Sequence, residues 1–250
     1  MKSIYEQTTV VIPTYNNAGT IADVVLRTLR SGLPLLVVDD GSTDGTGLIL
    51  EKIRQDNPDS VQVISFPENK GKGAALKAAF LSALRSGFQF AVTLDADGQH
   101  KPEDIPLLLE RAEGRTIVIG SRNLHADGMP SGNTFANRFS NFWFTVQTFI
   151  SLPDTQTGFR AYSLPDLGGI RIMTDRYEAE LLLLVFSAWK GLSLVPVKID
   201  VEYPADRVSH FRPFLDFFRI TLLNTSLCVL AVVYGYPRML FNRLFMRRSR

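Results

Sequence analysis

The acidic pair Asp95 and Asp97 is the feature of this sequence most suited to chemistry. The two residues belong to the segment DADGQH (95–100), which directly follows the largely apolar stretch 88–94. Two carboxylates separated by one residue, at the carboxyl end of a buried strand, can hold a hard divalent cation against the phosphates of a nucleotide. Because the D-x-D spacing is common, its meaning depends on the segments that precede it.

Two polar loops near the N-terminus could contact the rest of a nucleotide. In residues 13–17, proline and asparagine end a predicted strand, and Tyr15 offers a ring on which a base could rest. In the next loop, Asp39 and Asp40 together are expected to contact a ligand, because a carboxylate at a strand end can accept hydrogen bonds from a base or a ribose. Asp44, in the same loop, is instead expected to be a helix N-cap.

A third loop, NKGKG (69–73), combines lysines and glycines directly before a predicted helix. Such a segment at a helix N-terminus suits an anion, although the spacing of a P-loop is absent. A tight turn with solvated lysines is an equally good interpretation of the same residues. The three histidines lack the spacing of a metal site, and His100 is expected to lie at the surface or to face phosphate.

The elements that must position these loops alternate between short apolar strands and helices. Strands are predicted at residues 9–12, 35–38, 61–65, 90–94 and 116–120. Helices are predicted at residues 20–30, 46–55, 73–85 and 102–111. The strands mostly lack polar alternation, which is typical of a parallel sheet covered on both faces. Repeated strand–helix units predict an open, mostly parallel, doubly wound α/β sheet, with its ligand at the carboxyl ends of the strands.

The second half of the chain is less regular. It is predicted to contain a helix at 133–149, a polar loop at 154–160, a helix at 177–190, a strand at 194–201 and further helix from residue 215. We divide the chain into a catalytic domain, residues 1–210, and a C-terminal helical extension, residues 211–250.

The C-terminal extension is basic and apolar. No acidic residue follows Asp216, and the stretch between Arg219 and Arg238 carries no charge. A helix that spans a bilayer needs about 20 apolar residues, so this stretch is marginal. We expect an interfacial helix with a basic tail that faces anionic lipid. The alternative is a helix packed on the domain, with a solvated basic end.

Composition narrows the class of protein. With 250 residues, of which 45% are hydrophobic and 21% charged, the chain can bury a sizeable core. Its single cysteine, Cys228, excludes an intramolecular disulfide and a multi-cysteine metal site. The polar residues 1–7 lead directly into a strand and predict no secretory signal peptide. The net charge is only +2, and no nucleic-acid partner is expected.

Six segments in this order resemble the family 2 glycosyltransferases of the GT-A fold, most closely the polyprenyl-phosphate (dolichol-phosphate) hexosyltransferase branch. They are VVIPTYNN (10–17), VVDDGSTDGT (37–46), NKGKGAAL (69–76), LDADGQHKPED (94–104), GSR (120–122) and TGFRAY (157–162). The resemblance covers residues 9 to about 210. It implies transfer of a hexose from a nucleoside-diphosphate sugar to a polyprenyl phosphate, or to another membrane-bound acceptor, at the cytoplasmic face of a membrane.

The resemblance also implies roles for individual residues. Asp95 and Asp97 would hold Mg²⁺ or Mn²⁺ on the diphosphate. The residues expected to contact the nucleotide sugar are Pro13, Tyr15, Asn17, Asp39, Asp40, Lys72, Asp95, Gln99, Arg122, Arg207, His210 and Arg212. The last three belong to a loop in which the family usually has a lysine near the end, and here His210 and Arg212 stand in that region.

The reaction implied is a single displacement with inversion at the sugar carbon. If the acceptor is a hydroxyl, a carboxylate must remove its proton, and the candidates are Asp154, Glu178 and Glu180. If it is a lipid phosphate, it is already ionised, and Arg160 with the 207–212 loop would position it. One alternative is transfer to a hydroxyl of a growing glycan or glycolipid. Another alternative is a nucleotidyltransferase, which normally has a glycine-rich first loop with a basic residue, unlike residues 13–17 here. A third is a catalytically inactive binding module, which would lack the carboxylates that this sequence contains.

Overall fold

The computed structural model describes residues 2–122, 131–170, 178–201 and 213–245. The described part of the chain forms one seven-stranded sheet, whose strand order is β3-β2-β1-β4-β6-β5-β7. Its strands are β1 Thr8–Thr14, β2 Leu35–Asp39, β3 Val61–Ser65, β4 Phe90–Thr93, β5 Thr116–Arg122, β6 Arg160–Ser163 and β7 Ser193–Ile199. The structure therefore confirms the five strands predicted in the first half of the chain and the strand predicted at 194–201, with bounds that differ by a few residues.

One strand runs against the others. β1, β2, β3 and β4 pair in parallel, as do β5 and β7, whereas β6 is antiparallel to both β4 and β5. The predicted class, an open and mostly parallel α/β sheet, is confirmed. The sequence analysis missed β6, because RAYS (160–163) is short and includes an arginine. Its reversed direction has a consequence for the site: the loop that enters β6 lies at the sheet edge where β4 and β5 end.

Helices cover both faces of the sheet. They are α1 Ile21–Leu29, α2 Thr46–Asp56, α3 Lys72–Arg85, α4 Ile105–Leu109, α5 Ser131–Thr148, α6 Glu178–Lys190, α7 Pro213–Leu230 and α8 Tyr236–Phe245. Alternate residues of a strand enter opposite layers, as the pleat requires. In β1, Val11 packs with residues of α3, α5 and α6, whereas Val10 and Ile12 pack with residues of α1, α2 and α4. The helix predicted at 102–111 is a 3₁₀ turn, Pro102–Asp104, followed by the short α4.

The C-terminal helices pack on the domain. One π-helical turn, Ala231–Gly235, joins α7 to α8. Asn224 and Ala231 are buried on the side that faces α5 and α6, and a side chain at Gly235 would overlap the ring of Trp189. Gln147 donates a hydrogen bond to the Asn224 side chain at 3.0 Å. These contacts hold one side of the helix against the domain, and the division predicted near residue 210 stays a prediction.

Candidate active site

The first two polar loops are hydrogen-bonded to each other. Asn16, which has a positive φ of 53°, donates its N–H to Ser42 Oγ at 2.9 Å and accepts the N–H of Thr43 at 2.8 Å. The N–H of Asn17 reaches Thr46 Oγ1 at 3.0 Å. Asp44 accepts the N–H of Thr46, the first residue of α2, at 3.1 Å. Gly45 occupies the N-cap position itself, so Asp44 supports the helix start from one residue earlier than a cap.

Asp40 joins the second loop to the third. Its two carboxylate oxygens accept the N–H groups of Lys70 and Gly71, each at 2.7 Å. Burial raises the pKa of Asp40 above its usual value, and these two hydrogen bonds offset only part of that rise. The loops lie so close that a side chain at Gly41 would overlap the backbone of Glu68. The loops that carry the residues predicted to contact the nucleoside are therefore joined to one another. Pro13, Asp39 and Asp40 are buried, and Tyr15 and Asn17 are half-buried.

The third loop reaches the acidic pair through Lys72, the first residue of α3. Its ammonium lies 2.6 Å from Asp95 Oδ1 and 2.7 Å from Glu180 Oε2. Burial alone would lower the pKa of Lys72, but the two carboxylates outweigh it and raise that pKa above its usual value. Burial alone would raise the pKa of Asp95, but Lys72 outweighs burial, and the pKa of Asp95 lies below its usual value. Lys72 and Asp95 are thus both charged at neutral pH.

Asp95 is enclosed on its other side by Gly158 and His100. A side chain at Gly158 would overlap the Asp95 carboxylate, and Thr93 Oγ1 holds the Gly158 carbonyl at 2.7 Å. His100 Nε2 lies 3.9 Å from Asp95 Oδ2, and its ring stacks on Phe159. Of the two expectations for His100, a place at the surface is wrong, and contact with phosphate stays a prediction. Its side chain is buried between the Asp95 loop and β6, and burial lowers its pKa to about 4, so that it is neutral at pH 7.

Asp97 is held by Gln99, two residues later. Its Oδ1 accepts the Gln99 N–H at 3.0 Å, and its Oδ2 accepts the Gln99 side-chain amide. In the described ranges, no group of three or more His, Cys, Asp or Glu lies together as a complete metal site. Mg²⁺ is usually held by one or two carboxylates together with substrate phosphates. The two oxygen-donor side chains after β4 fit a hard divalent cation of this kind.

Arg122 and Asp154 form a buried ion pair beside the acidic loop. Arg122 ends β5, and its guanidinium contacts the two oxygens of Asp154 at 2.7 and 3.1 Å. Asn137 of α5 donates to the same carboxylate at 2.6 Å. Burial would raise the pKa of Asp154, but Arg122 outweighs it and holds that pKa below its usual value. Asp154 is therefore a weak base whose carboxylate is already occupied by Arg122 and Asn137.

Arg160 is fully buried at the start of β6. Its guanidinium donates to the carbonyl oxygens of Glu180 and Thr155, each at 2.9 Å. It therefore connects the loop before β6 to the first turn of α6. Glu178, at the start of α6, is half-buried.

The structure brings the predicted loops to one edge of the sheet. Thr20 Oγ1 adds a 2.6 Å hydrogen bond to Ala96 O, which joins the first loop to the acidic loop. Arg207, His210 and Arg212 lie outside the described residues. Sequence reasoning assigned no role to Gly158 or Asn137. The glycine of TGFRAY was a usable signal for Gly158, whereas no sequence pattern distinguishes Asn137.

Comparison with known proteins adds a family match and several relatives. The family described as "Glycosyl transferase family 2" matches residues 9–167. Polyprenol monophosphomannose synthase of Mycolicibacterium smegmatis is 34% identical over 163 residues, which are 63% of this chain and 62% of that protein. Undecaprenyl-phosphate mannosyltransferase of Micrococcus luteus is 34% identical over 198 residues, covering 76% of this chain and 81% of that protein.

Solved structures share the fold at low sequence identity. Glucosyl-3-phosphoglycerate synthase from Mycobacterium tuberculosis, in complex with Mn²⁺, UDP and glucosyl-3-phosphoglycerate, has a TM-score of 0.65 at 20% identity, over 90% of this chain and 79% of that chain. The mannosyltransferase PcManGT from Pyrobaculum calidifontis, in complex with GDP-Man and Mn²⁺, has a TM-score of 0.52 at 22% identity, over 77% of this chain and 55% of that chain. The predicted GT-A fold is confirmed.

Proposed function

Because the chain belongs to glycosyl transferase family 2, we propose that it moves a hexose from a nucleoside-diphosphate sugar to a polyprenyl phosphate at a membrane surface. The observation that carries this proposal is the convergence of Asp95, Asp97, Lys72 and Arg122 at the carboxyl edge of the sheet. Two relatives, a polyprenol monophosphomannose synthase and an undecaprenyl-phosphate mannosyltransferase, support the choice of acceptor.

The charges of the site suit a diphosphate leaving group. Asp95 and Asp97 would hold Mg²⁺ or Mn²⁺, and the bound cation would stabilise negative charge on the departing diphosphate. Lys72 and Arg122 add fixed positive charge near the same position, where they act on charge as it develops. Gln99 keeps the Asp97 carboxylate oriented through two hydrogen bonds. The nucleoside would lie against the loops that contain Pro13, Tyr15, Asn17, Asp39 and Asp40.

The partners of the carboxylates favour a phosphate acceptor over a hydroxyl acceptor. Of the three candidate bases, Asp154 pairs with Arg122 and Glu180 pairs with Lys72. The lowered pKa of Asp154 makes it a poor proton acceptor, and the Lys72 ammonium occupies Glu180. Glu178 is the remaining candidate. A lipid phosphate is ionised at neutral pH and needs no strong base, so it suits this site better. Arg160 is buried between backbone carbonyls, and we assign it the support of the loop before β6 in place of contact with the acceptor.

The C-terminal helix supplies a surface for membrane contact. Residues Ile220–Leu244 form a helix of 25 residues, with mean hydropathy 1.5, that is long and apolar enough to cross a membrane by length and composition alone. However, its inner side packs on α5 and α6 from Asn224 to Asn242, which donates a hydrogen bond to Trp189 O at 3.1 Å. Its outer side exposes apolar side chains, namely Leu222, Val229, Val232, Val233, Leu240, Phe241 and Leu244.

This two-sided arrangement supports a helix that lies on the bilayer surface. A spanning helix would need lipid or other transmembrane helices around it, whereas here the catalytic domain covers one side along most of its length. The outer side can enter the interfacial region while Arg238 and Arg243 meet anionic headgroups. We propose that the protein binds the cytoplasmic face of the membrane in this orientation.

The decisive experiment is a donor screen with the protein and Mn²⁺, in mixed micelles that contain a polyprenyl phosphate and a glycolipid. The assay measures both the small product released and the mass of the lipid product. Release of a nucleoside diphosphate together with a hexosyl-phosphoryl lipid supports the proposal. Release of pyrophosphate would identify a nucleotidyltransferase, and transfer only to glycolipid hydroxyls would identify the alternative acceptor class.

A further inference from the structure

The ammonium of Lys72 is shared between two carboxylates that come from different elements. It lies 2.6 Å from Asp95, after β4, and 2.7 Å from Glu180, in the first turn of α6. We propose that Lys72 is an exchangeable counter-ion of the cation site, and that Glu180 is the positioning residue that keeps it available. This inference rests on the proposed function and specifies how the donor site is loaded.

The Lys72 ammonium and a divalent cation compete for Asp95. Lys72 occupies Asp95 Oδ1, while Gly158 and His100 border Oδ2. A divalent cation that approaches Asp95 therefore meets an ammonium already bound to it. Glu180 weakens this competition, because an ammonium divided between two carboxylates neutralises each of them only in part. Without the charge of Glu180, Lys72 and Asp95 would form a closed one-to-one pair.

When the donor binds, the side chain of Lys72 can change its partner. Lysine has a flexible stem and three rotatable N–H donors. It can therefore turn from Asp95 toward a diphosphate oxygen while one N–H stays on Glu180. Lys72 is also the first residue of the fourteen-residue α3, so a diphosphate beside it gains from the positive end of that helix. Glu180 thus holds the Lys72 ammonium where it can contact the diphosphate while Asp95 binds the cation.

The test compares Mn²⁺ affinity in the absence of nucleotide, measured from the electron paramagnetic resonance signal of free Mn²⁺. Lys72→Met removes the competitor and is expected to tighten Mn²⁺ binding about tenfold. Glu180→Gln strengthens the hold of Lys72 on Asp95 and is expected to weaken Mn²⁺ binding about tenfold. Glu51→Gln is the matched control, since Glu51 pairs with Arg54 on the exposed face of α2. The Mn²⁺ affinity of this variant should equal that of the wild type.

Changes of opposite sign in the Mn²⁺ affinities of the two variants distinguish a positioning role from structural damage. If Lys72 and Glu180 only stabilised the fold, both substitutions would weaken Mn²⁺ binding, and that result would overturn the inference, as would no change in either variant. Thermal melts of both variants check that each is folded. Donor kinetics give a second readout: both variants should raise the KM for the nucleotide sugar, whereas a proton-accepting Glu180 would lower kcat and leave Mn²⁺ affinity unchanged.

The same experiment distinguishes this inference from the proposed function. A wild-type protein that binds no Mn²⁺ and releases no nucleoside diphosphate would refute the glycosyl-transfer proposal itself. A wild-type protein that does both, with variants whose Mn²⁺ affinities move in the same direction, would refute only the exchange of Lys72.

Discussion

Asp154→Asn tests the electrostatic interpretation of the site most directly. The native carboxylate is fully buried, and it accepts hydrogen bonds from Arg122 on both oxygens and from Asn137 on one. An asparagine must present its NH₂ group to one of these donors, and it removes the buried negative charge that the Arg122 guanidinium contacts. Loss of one partner of a buried pair costs about 3–5 kcal/mol, which for a chain of this size lowers Tm by roughly 6–20 °C.

The pH dependence of that loss has a definite sign. The folded protein holds the pKa of Asp154 below its ordinary value of 3.8, and Arg122 outweighs burial in doing so. The carboxylate therefore contributes stability that is fully present above about pH 4 and is lost as pH falls through the folded pKa. The difference in free energy of unfolding between wild type and Asp154→Asn should be constant near neutral pH and should shrink below pH 4.

Thermal melts measure the change in Tm, and urea denaturation across this pH range measures the difference in free energy of unfolding. Asp23→Asn is the control, since Asp23 pairs with Arg27 at an exposed position and exposed ion pairs contribute little. An Asp154→Asn protein with wild-type Tm, or a stability difference that does not change with acid, would refute the description of this pair.

Three further outcomes are expected. Asp97→Ala should abolish turnover and leave Tm nearly unchanged, because Asp97 is only half-buried; substantial residual transfer would argue against its metal role. Gly158→Ala should weaken Mn²⁺ binding and turnover while the chain stays folded, because the added methyl group displaces the Asp95 carboxylate; wild-type Mn²⁺ affinity would contradict this contact. Val233→Asp with Phe241→Asp should reduce sedimentation with anionic vesicles without loss of transfer to a short, soluble polyprenyl phosphate, whereas unchanged sedimentation would exclude the outer side of the helix as the membrane contact.

The strands and the acidic pair were predictable because their signals are local. Apolar runs such as residues 35–38 bound by polar loops predict buried parallel strands, and each loop then falls at a known edge of the sheet. The order of the motifs added the family. This reasoning placed Asp40, Lys72, Asp95 and Asp97 at one edge, and the structure brings their loops together through hydrogen bonds and an ion pair.

The remaining features depend on contacts between distant parts of the chain. Arg122 and Asp154 are 32 residues apart, and no local pattern pairs them. Arg160 lies in a four-residue strand and is fully buried, whereas an arginine in a sequence is ordinarily expected at the surface. His100 is buried because β6 returns beside it and Phe159 covers its ring. The sequence drew attention to these residues through their motifs and loops, but their partners were not accessible to sequence reasoning.

The reversed direction of β6 places a strict limit on the length of the segment that enters it. Within residues 154–158, the first side chain is bound to Arg122, and a side chain added at the last residue, Gly158, would overlap the Asp95 carboxylate. One amino acid inserted between them could preserve both contacts only by a bulge at Gln156, the exposed residue of this span. Length variation within such proteins should therefore accumulate in other connections, and this short span should keep its residue count even where its composition drifts.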